Sequence, residues 1–428
     1  MVPRHSILSL PGSHLRVLYD AIVVGAGPAG NLAALRLAEA GHRACVVDWR
    51  QNIGDKLCTG IVGRECMARY PVNPGDIYRA ANSATLVSPS GKRFKLAKTR
   101  PQAYIVNRVS FVSSIAAQAQ QAGATYLLGP KVTGIQLSDR GVAIQTEYQA
   151  SRDVLQGRLL ILASGFASPL VKMAGLAGGG HGNAMIGSQV EVETAGVEET
   201  EVYLGNAVAP GSFGWLVPLA DSRALVGIAT RKKLNGHLPE FVSSLQKSGK
   251  VRAAVKKPQN WGIPVRPLPK TYAERVLVVG DAAGLAKPTT GGGIYYALLS
   301  GEIAVKTAGG AIARGDFSAR MLREYEKGWK AVLGKELRIG YLARVLYEVL
   351  GDRQIDSLLE SVLAKDVQED FLASEDFSFD WHSVLIKKAV NHRVAGRVIA
   401  SFGPDSSGLA RAVPMSRDEA VQPFVPQP

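Results

Sequence analysis

Cysteine is scarce in this chain, whose 428 residues contain only Cys45, Cys58 and Cys66. Three cysteines supply neither a disulfide framework nor the four ligands of a structural zinc site. Cys45 lies inside an apolar run and is interpreted as a small core residue, and Cys66 is interpreted as structural. Because a disulfide framework is absent, the sequence favours a cytoplasmic protein.

Long apolar runs are also absent, since none reaches the roughly 18 residues needed to span a bilayer. Residues Met1–Leu18 lack the apolar core and cleavage site of a secretory signal, so we expect a short extension before the first strand. The chain is 46% hydrophobic and 20% charged, which is typical of an ordered globular protein. Its length predicts two or three domains.

Acidic residues are in the minority, and the net charge is +14. One interpretation is a soluble protein with a basic surface, and the other is attraction to an anionic partner. Much of the excess lies in one basic stretch, made of Arg231, Lys232, Lys233, Lys247, Lys250, Arg252, Lys256, Lys257, Arg266 and Lys270. Few aromatic residues interleave it and no nucleic-acid motif is found. We therefore expect no nucleic-acid partner and favour peripheral contact with a membrane surface.

A glycine motif near the N-terminus predicts dinucleotide binding. The pattern indicates a strand over Tyr19–Val24, a helix over Ala29–Ala40 and a strand over Ala44–Asp48. Between the first two lies G-x-G-x-x-G, formed by Gly25, Gly27 and Gly30. These glycines permit a tight turn, close approach of a pyrophosphate and helix–strand packing, while the helix N-terminus attracts the phosphates. Asp48 then stands where a carboxylate can bind the ribose.

A second glycine segment favours FAD over NAD. Residues 275–298 read RVLVVGDAAGLAKPTTGGGIYYAL, which indicates a strand ending at Gly280-Asp281 and a helix opened by Gly291–Gly293. Asp281 can bond the ribitol of FAD, and the helix N-terminus can face the flavin pyrimidine ring and stabilise reduced flavin. A further βα turn with a structural aspartate is the alternative.

The order of elements predicts an α/β fold with a Rossmann-like FAD-binding domain interrupted by a β-rich substrate domain. We expect FAD-binding segments at 19–168 and 266–312, with 66–103 contributing to the substrate domain, and a β-rich substrate domain at 169–265. A helical region should follow at 313–402, and a loose tail at 403–428. One helical face in this region is apolar, and three interpretations are open for it: packing against the body, lining a substrate channel or touching a membrane. It comprises Leu333, Leu337, Tyr341, Leu342, Val345, Leu346 and Val349.

These motifs resemble the FAD-binding proteins of the p-hydroxybenzoate hydroxylase fold, and among them the geranylgeranyl reductase family. The segment GDAAG…P…GGGI resembles the family's flavin motif, and Gly214–Pro218 with Val226-Gly227 resembles its aromatic-W-x-F-P…VG signature, with Val217 in place of Phe. Residues Lys56–Gly60 resemble its cysteine-and-glycine loop, with Thr59 between the cysteine and the glycine. The likeness runs from about Tyr19 to Ala400. Ser164 departs from the acid that many relatives carry.

The resemblance and the motifs together assign candidate site residues. The FAD candidates are Gly25, Gly27, Pro28, Ala29, Gly30, Asp48, Trp49, Arg50, Cys58, Gly60, Arg108, Val132, Ala163, Gly165, Gly280, Asp281, Pro288, Gly291, Gly292, Gly293 and Ile294. Trp215, Phe213, Tyr295 and Tyr296 are the candidates for lining an apolar substrate tunnel, with core packing as the alternative for each. We expect no metal site.

The resemblance implies that reduced FAD delivers hydride to a carbon–carbon double bond of a polyprenyl lipid or diphosphate. Cys58 is then the candidate for donating the proton or positioning the alkene, with a packing thiol as the alternative. Electrons would come from NAD(P)H or from a reduced carrier protein such as a ferredoxin. The basic stretch could hold an anionic headgroup. Two other functions stay open: a monooxygenase or halogenase of the same fold, and a non-redox flavoprotein such as a cyclase or lipid-binding protein.

Overall fold

The computed structural model describes residues 17–54, 58–177, 184–231, 234, 236–363 and 378–391. Expectations for the N-terminal extension, for Lys56, Leu57, Lys232 and Lys233, and for the tail lie outside these residues. The strands, in chain order, are β1 Leu18–Val24, β2 Ala44–Asp48, β3 Ile61–Gly63, β4 Ile77–Ala81, β5 Ser83–Val87, β6 Arg93–Ala97, β7 Ala103–Val106, β8 Thr125–Leu128, β9 Lys131–Ser138, β10 Gly141–Tyr148, β11 Ser151–Leu162, β12 Ala184–Thr194, β13 Thr200–Leu204, β14 Phe213–Pro218, β15 Arg223–Thr230, β16 Val251–Ala254, β17 Gln259–Pro264, β18 Tyr272–Ala273 and β19 Val276–Val278.

Helices cover the faces of the sheets and form most of the described part of the chain after β19. In order they are α1 Pro28–Glu39, α2 Arg64–Arg69, α3 Arg108–Gln121, α4 Leu170–Met173, α5 His237–Lys247, α6 Ile294–Arg314, α7 Ala319–Glu348, α8 Asp352–Val362 and α9 Ser383–Asn391. Short 3₁₀ turns occur at Pro74–Asp76 and Gly280–Ala283. Within the described residues, no helix combines the length and apolar character required to cross a bilayer.

The first sheet has a parallel centre in the order β8-β2-β1-β11-β19. Numbered along the chain this order is 3-2-1-4-5, the order of a Rossmann fold. Strand β18 pairs antiparallel with β19. Strand β10 of the β9–β10 hairpin pairs antiparallel with the N-terminal half of β11. Strand β2 is buried throughout and β11 is buried at its C-terminal end, as expected for a sheet covered by helices on both faces.

The second sheet is built mainly from β12 to β17 and is mostly antiparallel. Strand β13 pairs in parallel with β5, so the hairpin β5–β6 from much earlier in the chain also belongs to this sheet. Strands β3, β7 and β4 form a small third sheet. The second sheet therefore receives strands from both sides of β11.

A single large apolar core underlies the parallel sheet. Strands β1, β2 and β11 bury their C-terminal halves between α1, α3 and α6, whose apolar faces are packed against the sheet. Cys45 is fully buried in this core and Cys66 is fully buried beside it, which confirms their interpretation as packing residues. Helix α7 contributes Leu322, Tyr325, Trp329, Leu333 and Leu337 to the same core, so the first half of its apolar face packs on the body.

Candidate flavin site

The candidate site begins where β1 and β11 end side by side, at the point where the strand order reverses. Val24 pairs with Leu162 at this edge, and Gly25 follows directly. Gly25 has φ +113°, and a Cβ built on it would lie 2.3 Å from the carbonyl oxygen of Ala163. In open α/β sheets ligands bind in the crevice at such a switch point. The first motif glycine is therefore required by the packing of the turn on the neighbouring strand.

The other two glycines of the motif have different surroundings. A Cβ on Gly30 would lie 1.9 Å from the carbonyl oxygen of Gly25, so this glycine permits the helix to pack on the turn. A Cβ on Gly27 would meet no atom within 4 Å. Gly27 is also the N-cap of α1, with Pro28 in the first turn and no side-chain cap. The first turn of α1 therefore presents backbone N–H groups to open space, which is the arrangement that binds phosphate.

Asp48, at the end of β2, anchors the glycine turn. Its Oδ2 accepts a hydrogen bond of 2.7 Å from the backbone N–H of Ala26, and its Oδ1 accepts one of 2.8 Å from Arg50 N–H. A carboxylate has further lone pairs that can accept from ribose hydroxyls. Trp49 is 61% exposed, and the Arg50 guanidinium carbon lies 4.4 Å from the centroid of its ring. This end of the site thus joins a carboxylate to an exposed stacked pair.

The second glycine motif forms the opposite side of the site. Gly280 turns the chain after β19 with φ +58°, and Gly293 caps α6, which begins at Ile294. A Cβ on Gly293 would lie 2.7 Å from Asp281 Oδ1, so this glycine makes room for the carboxylate. The N-terminus of a long helix and the Asp281 carboxylate therefore face the same space.

Both motifs open into one cavity of about 1220 Å³. This exceeds the usual volume of a small-molecule site, about 300–1,000 Å³, and suits an extended ligand. The FAD candidates that line it are Gly25, Gly27, Pro28, Ala29, Asp48, Trp49, Arg50, Cys58, Arg108, Val132, Ala163, Gly165, Gly280, Asp281, Gly291, Gly293 and Ile294. Four others, Gly30, Gly60, Pro288 and Gly292, are outside this lining.

The cysteine loop and Arg108 meet at one wall of the cavity. Cys58 is half-buried there, and its Sγ accepts a hydrogen bond of 3.5 Å from Gly60 N–H. Gly60 has φ +71°, and a Cβ on it would lie 2.5 Å from the carbonyl oxygen of Val106. Arg108 opens α3 and donates from Nη1 to the carbonyl oxygen of Gly54 at 2.6 Å. The loop is thus held against β7 and α3 with its thiol in the cavity.

The hydroxyl group of Ser164 bears on whether a polar ligand fits this cavity. It follows β11, lines the cavity, and its Oγ is buried without a hydrogen-bond partner in the described residues. Buried hydroxyls are nearly always paired, by protein, water or ligand. Together with the open N–H groups at Gly27, this hydroxyl is suited to a polar ligand lying across the switch point. The residues present therefore fit a dinucleotide such as FAD.

The four substrate candidates lie elsewhere. Trp215 is buried, and its Nε1 donates to Gln189 Oε1 at 3.1 Å within the core of the second sheet. Tyr295 and Tyr296 are buried on α6, where both rings contact Trp381. Neither these residues nor Phe213 is in the cavity lining.

Sequence reasoning missed another part of the wall. Phe166, Gln259, Asn260, Trp261 and Gly262 line the cavity opposite the glycine turns. A Cβ on Gly262 would lie 2.1 Å from the Phe166 ring, so β17 and the loop after β11 are in direct contact. The signal for this wall in the sequence is the aromatic-glycine pair Trp261-Gly262, which lies within the basic stretch.

The basic stretch is partly neutralised. Arg231 pairs with Glu348 at 3.0 Å, Lys250 with Glu201 at 2.5 Å and Lys256 with Glu191 at 2.5 Å. Its described members lie outside the lining of the cavity. Electrostatic contact between this stretch and a ligand in the cavity has no direct support from the geometry.

Comparisons with known proteins identify the family of the chain. Residues 19–208 match the family model described as pyridine nucleotide-disulphide oxidoreductase. A digeranylgeranylglycerophospholipid reductase from Methanocaldococcus jannaschii is 33% identical, over 81% of this chain and 91% of the relative.

Two solved structures extend the comparison. A geranylgeranyl bacteriochlorophyll reductase-like protein from Thermoplasma acidophilum has a TM-score of 0.79 at 25% identity, covering 92% of this chain and 99% of that one. The p-nitrophenol 4-monooxygenase of Pseudomonas putida has a TM-score of 0.68 at 15% identity, covering 88% of this chain and 99% of that one, and shows the fold alone. With the identity to the curated relative spread over most of its length, the chain belongs to the geranylgeranyl reductase family of FAD-dependent oxidoreductases.

Proposed function

We propose that this protein reduces carbon–carbon double bonds in the geranylgeranyl chain of a lipid or prenyl diphosphate, with FAD bound in the cavity. When bound, FAD supplies the hydride for this chemistry. The relative from Methanocaldococcus jannaschii carries the name of a reductase of digeranylgeranylglycerophospholipid, which favours a membrane lipid as the substrate. The protein's own residues must then hold the cofactor, receive an apolar chain and manage one proton.

The two glycine motifs are assigned to the cofactor. The N–H groups at the start of α1 would bind the pyrophosphate, and Asp48 would accept from the adenosine ribose. Asp281 would accept from the ribitol, and the N-terminus of α6 would stabilise negative charge on the reduced ring. Ser164 Oγ would gain the hydrogen-bond partner that it lacks among the described residues.

The observation that carries the choice of substrate is an apolar part of the cavity wall, where Phe166, Leu170 and Trp261 are among the lining residues. A Cβ on Gly291 would lie 2.9 Å from Ile263 Cγ2 and 3.6 Å from the terminal methyl of Met185. These two side chains do not line the cavity but belong to a buried cluster behind it, which also contains Trp215, Val217 and Val265 and against which Trp261 packs. An isolated alkene offers no charge to bind, so its recognition depends on apolar contact. Trp215 and Phe213 are proposed to support this wall from behind.

Cys58 is proposed to deliver the proton or to hold the alkene in place. It is half-buried in the cavity, on the wall formed by the cysteine loop. After hydride transfer to one carbon of the double bond, the other carbon needs a proton. A thiol near the cofactor is a suitable donor, since general acid catalysis requires hydrogen-bond reach of the reacting atom. Thr59 and Gly60 would fix the loop around it.

The source of electrons is proposed to be NAD(P)H or a reduced carrier protein of the ferredoxin type. A lipid substrate also requires peripheral contact with a membrane, for which those members of the basic stretch that form no ion pair within the described residues are suited by charge. Lys247, Arg252 and Lys257 are exposed on the second sheet and its flanking helix. Vesicle binding that depends on anionic lipid and on these three residues would support this contact.

The experiment is anaerobic reduction of the FAD-loaded protein, followed by addition of digeranylgeranylglycerophospholipid in vesicles. The proposal expects flavin reoxidation without oxygen, and a product that gains two hydrogen atoms for each double bond reduced. Geranylgeranyl diphosphate in a parallel sample distinguishes the lipid from the diphosphate. Reoxidation only after oxygen is admitted would contradict the proposal and favour a monooxygenase. Bound flavin with no substrate-dependent reoxidation by either compound would also contradict it.

A further inference from the structure

A lysine is buried directly behind the glycine loop that lines the flavin end of the cavity. Lys287 is 5% exposed and precedes Pro288 in this loop. Its backbone N–H donates to the carbonyl oxygen of Gly292 at 3.1 Å, and Gly291 N–H donates to the Lys287 carbonyl at 2.8 Å. A Cβ on Gly292 would lie 3.8 Å from Lys287 Cδ. The side chain therefore lies against the backbone of the glycine loop, in which Gly291 and Gly293 line the cavity.

The ammonium group is held by backbone and aromatic groups rather than by a close carboxylate. Lys287 Nζ donates to the carbonyl oxygen of Phe379 at 2.5 Å and lies 4.7 Å from the Phe379 ring centroid. It is 5.8 Å from the Tyr296 ring centroid. Within the described residues, no carboxylate oxygen is within the 4.0 Å of an ion pair. Within the described residues, the positive charge of Lys287 is thus not neutralised by a directly contacting carboxylate.

The segment 378–382 closes this pocket from the other side. Asp380 is buried and accepts from Glu65 N–H at 2.9 Å, at the start of α2. His382 is half-buried, and its Nδ1 and Thr289 Oγ1 are hydrogen-bonded at 2.6 Å. Glu336 on α7 accepts from the backbone N–H of His382 at 2.9 Å. The glycine loop, α2, α6 and α7 therefore all meet around Lys287.

Resting on the proposed FAD-dependent function, we infer that Lys287 is a positioning residue that sets the reduction potential of the bound flavin through its charge. Reduction by two electrons from a donor and one proton from water leaves one negative charge on the isoalloxazine ring. A positive charge behind the loop stabilises that product more than the neutral oxidised ring, because the two charges attract and the lysine is itself buried. Lys287 thus adds to the effect of the α6 N-terminus.

The same charge can respond to pH. Burial lowers the pKa of Lys287 to about 8, against the raising influence of Asp380, Cys66, Glu336 and Glu65. His382 stays neutral, since burial and Lys287 lower its pKa to about 3, and burial raises the pKa of the Tyr296 hydroxyl. A new negative charge across the loop raises the pKa of Lys287 again. Above about pH 8 the reduction therefore takes up a second proton from water, which Lys287 binds.

The test is the midpoint potential of bound FAD, measured by anaerobic equilibrium titration against dyes of known potential. A unit charge within ~10 Å, at an effective dielectric constant of about 20, changes the equilibrium about tenfold. Lys287→Met should therefore lower the midpoint potential by about 30 mV, which is the equivalent of a tenfold change in the equilibrium constant of a two-electron couple. Lys306→Met removes an exposed lysine from the same helix that Lys287 precedes, and should leave the potential unchanged.

Lys287→Arg and the pH series make the inference falsifiable even if Lys287→Met fails to fold. The arginine keeps the charge at all accessible pH values, so its potential should stay near the wild-type value at pH 7. In the wild type the slope of potential against pH should steepen above about pH 8, from ~30 to ~60 mV per pH unit, because a second proton is then taken up. This break should vanish in Lys287→Arg. A wild-type slope without a break, or a folded Lys287→Met with unchanged potential, overturns the inference. Neither result depends on the lipid substrate, so the proposed reductase activity stands or falls separately.

Discussion

Gly25 lies against the backbone of Ala163, so closely that a Cβ on the glycine would be 2.3 Å from the alanine carbonyl oxygen. This contact joins the first βα turn to the end of the fourth strand of the Rossmann order. Gly27, two residues later, has no atom within 4 Å of its own Cβ position. The two motif glycines therefore serve different purposes: Gly25 is required by the fold, and Gly27 is available to a ligand.

Substitution of the two glycines separates folding from cofactor binding. Gly25→Ala should destabilise the protein by at least ~2 kcal/mol, because a positive φ and a backbone clash act together. Gly27→Ala should leave the melting temperature of the apoprotein unchanged. It should weaken FAD binding about tenfold or more, since its Cβ enters the space assigned to the pyrophosphate. Flavin fluorescence titration and thermal unfolding measure the two effects. Equal FAD affinity in Gly27→Ala and the wild type would contradict the assignment.

The Ser164 hydroxyl gives a second way to detect the cofactor. Since its Oγ is buried without a partner among the described residues, Ser164→Ala removes no hydrogen bond seen within the protein. The stability of the apoprotein should stay the same or rise by up to ~1 kcal/mol. The dissociation constant of FAD should increase about 2- to 10-fold, the effect of losing one neutral hydrogen bond. Lower apoprotein stability with unchanged FAD affinity would show that the hydroxyl has a structural partner instead.

The local parts of the flavin site could be predicted from the sequence. The sequence predicts a strand at Tyr19–Val24, a helix at Ala29–Ala40 and a second strand at Ala44–Asp48. The structure has them at Leu18–Val24, Pro28–Glu39 and Ala44–Asp48, with the glycine turn between the first two. This unit is specified by residues within about 30 positions, through hydrophobic period and turn chemistry. The helix after Gly293 was predictable for the same reason. The α/β fold with its Rossmann-like sheet follows from these two units and is confirmed.

Long-range contacts could not be predicted in this way. Phe166 meets Gly262, and Lys287 meets Phe379, across about ninety positions in each case, with no periodic pattern to join them. The same limit explains the substrate candidates. Trp215 and Tyr296 are large aromatic residues near the motifs, but a sequence does not tell which face of a strand or helix meets the ligand. The domain bounds depend on contacts of this kind and stay a prediction.

Cys58 is expected to affect turnover more than cofactor binding. Cys58→Ala should keep bound FAD but lower kcat about 100-fold, the low end of the contribution of a general acid. Cys45→Ala is the matched control, because this thiol is fully buried in β2 and does not line the cavity. It should lower the melting temperature slightly and leave the specific activity of the folded protein unchanged. Single-turnover reoxidation of reduced flavin by the lipid gives the rate. Full activity in Cys58→Ala would identify a packing thiol.

A buried carboxylate in the second sheet should give the stability a measurable pH dependence. Glu201 is hydrogen-bonded by Arg93 Nη2 at 2.6 Å, by Lys250 Nζ at 2.5 Å and by the Tyr203 hydroxyl. Burial alone would raise the pKa of Glu201, but the hydrogen bonds from Lys250, Tyr203 and Arg93 lower it below the ordinary value. A folded-state pKa below the unfolded one, about 4.3, stabilises the protein above that pH. This stabilisation is lost as the pH falls through the lower, folded-state pKa.

Glu201→Gln should therefore reduce the free energy of unfolding by roughly 2–3 kcal/mol at pH 7, since charged hydrogen bonds are replaced by neutral ones and Lys250 is left without its partner. The difference from the wild type should shrink as the pH is lowered below about 4, because the wild-type carboxylate is then protonated as well. Glu39→Gln, which breaks an exposed pair with Arg36, should change the stability by less than ~1 kcal/mol at either pH. Urea unfolding of the three proteins at pH 7 and pH 3 measures these differences. A deficit in Glu201→Gln that is the same at both pH values would mean that Glu201 acts through shape and packing, and that its charge contributes nothing to the stability of the second sheet.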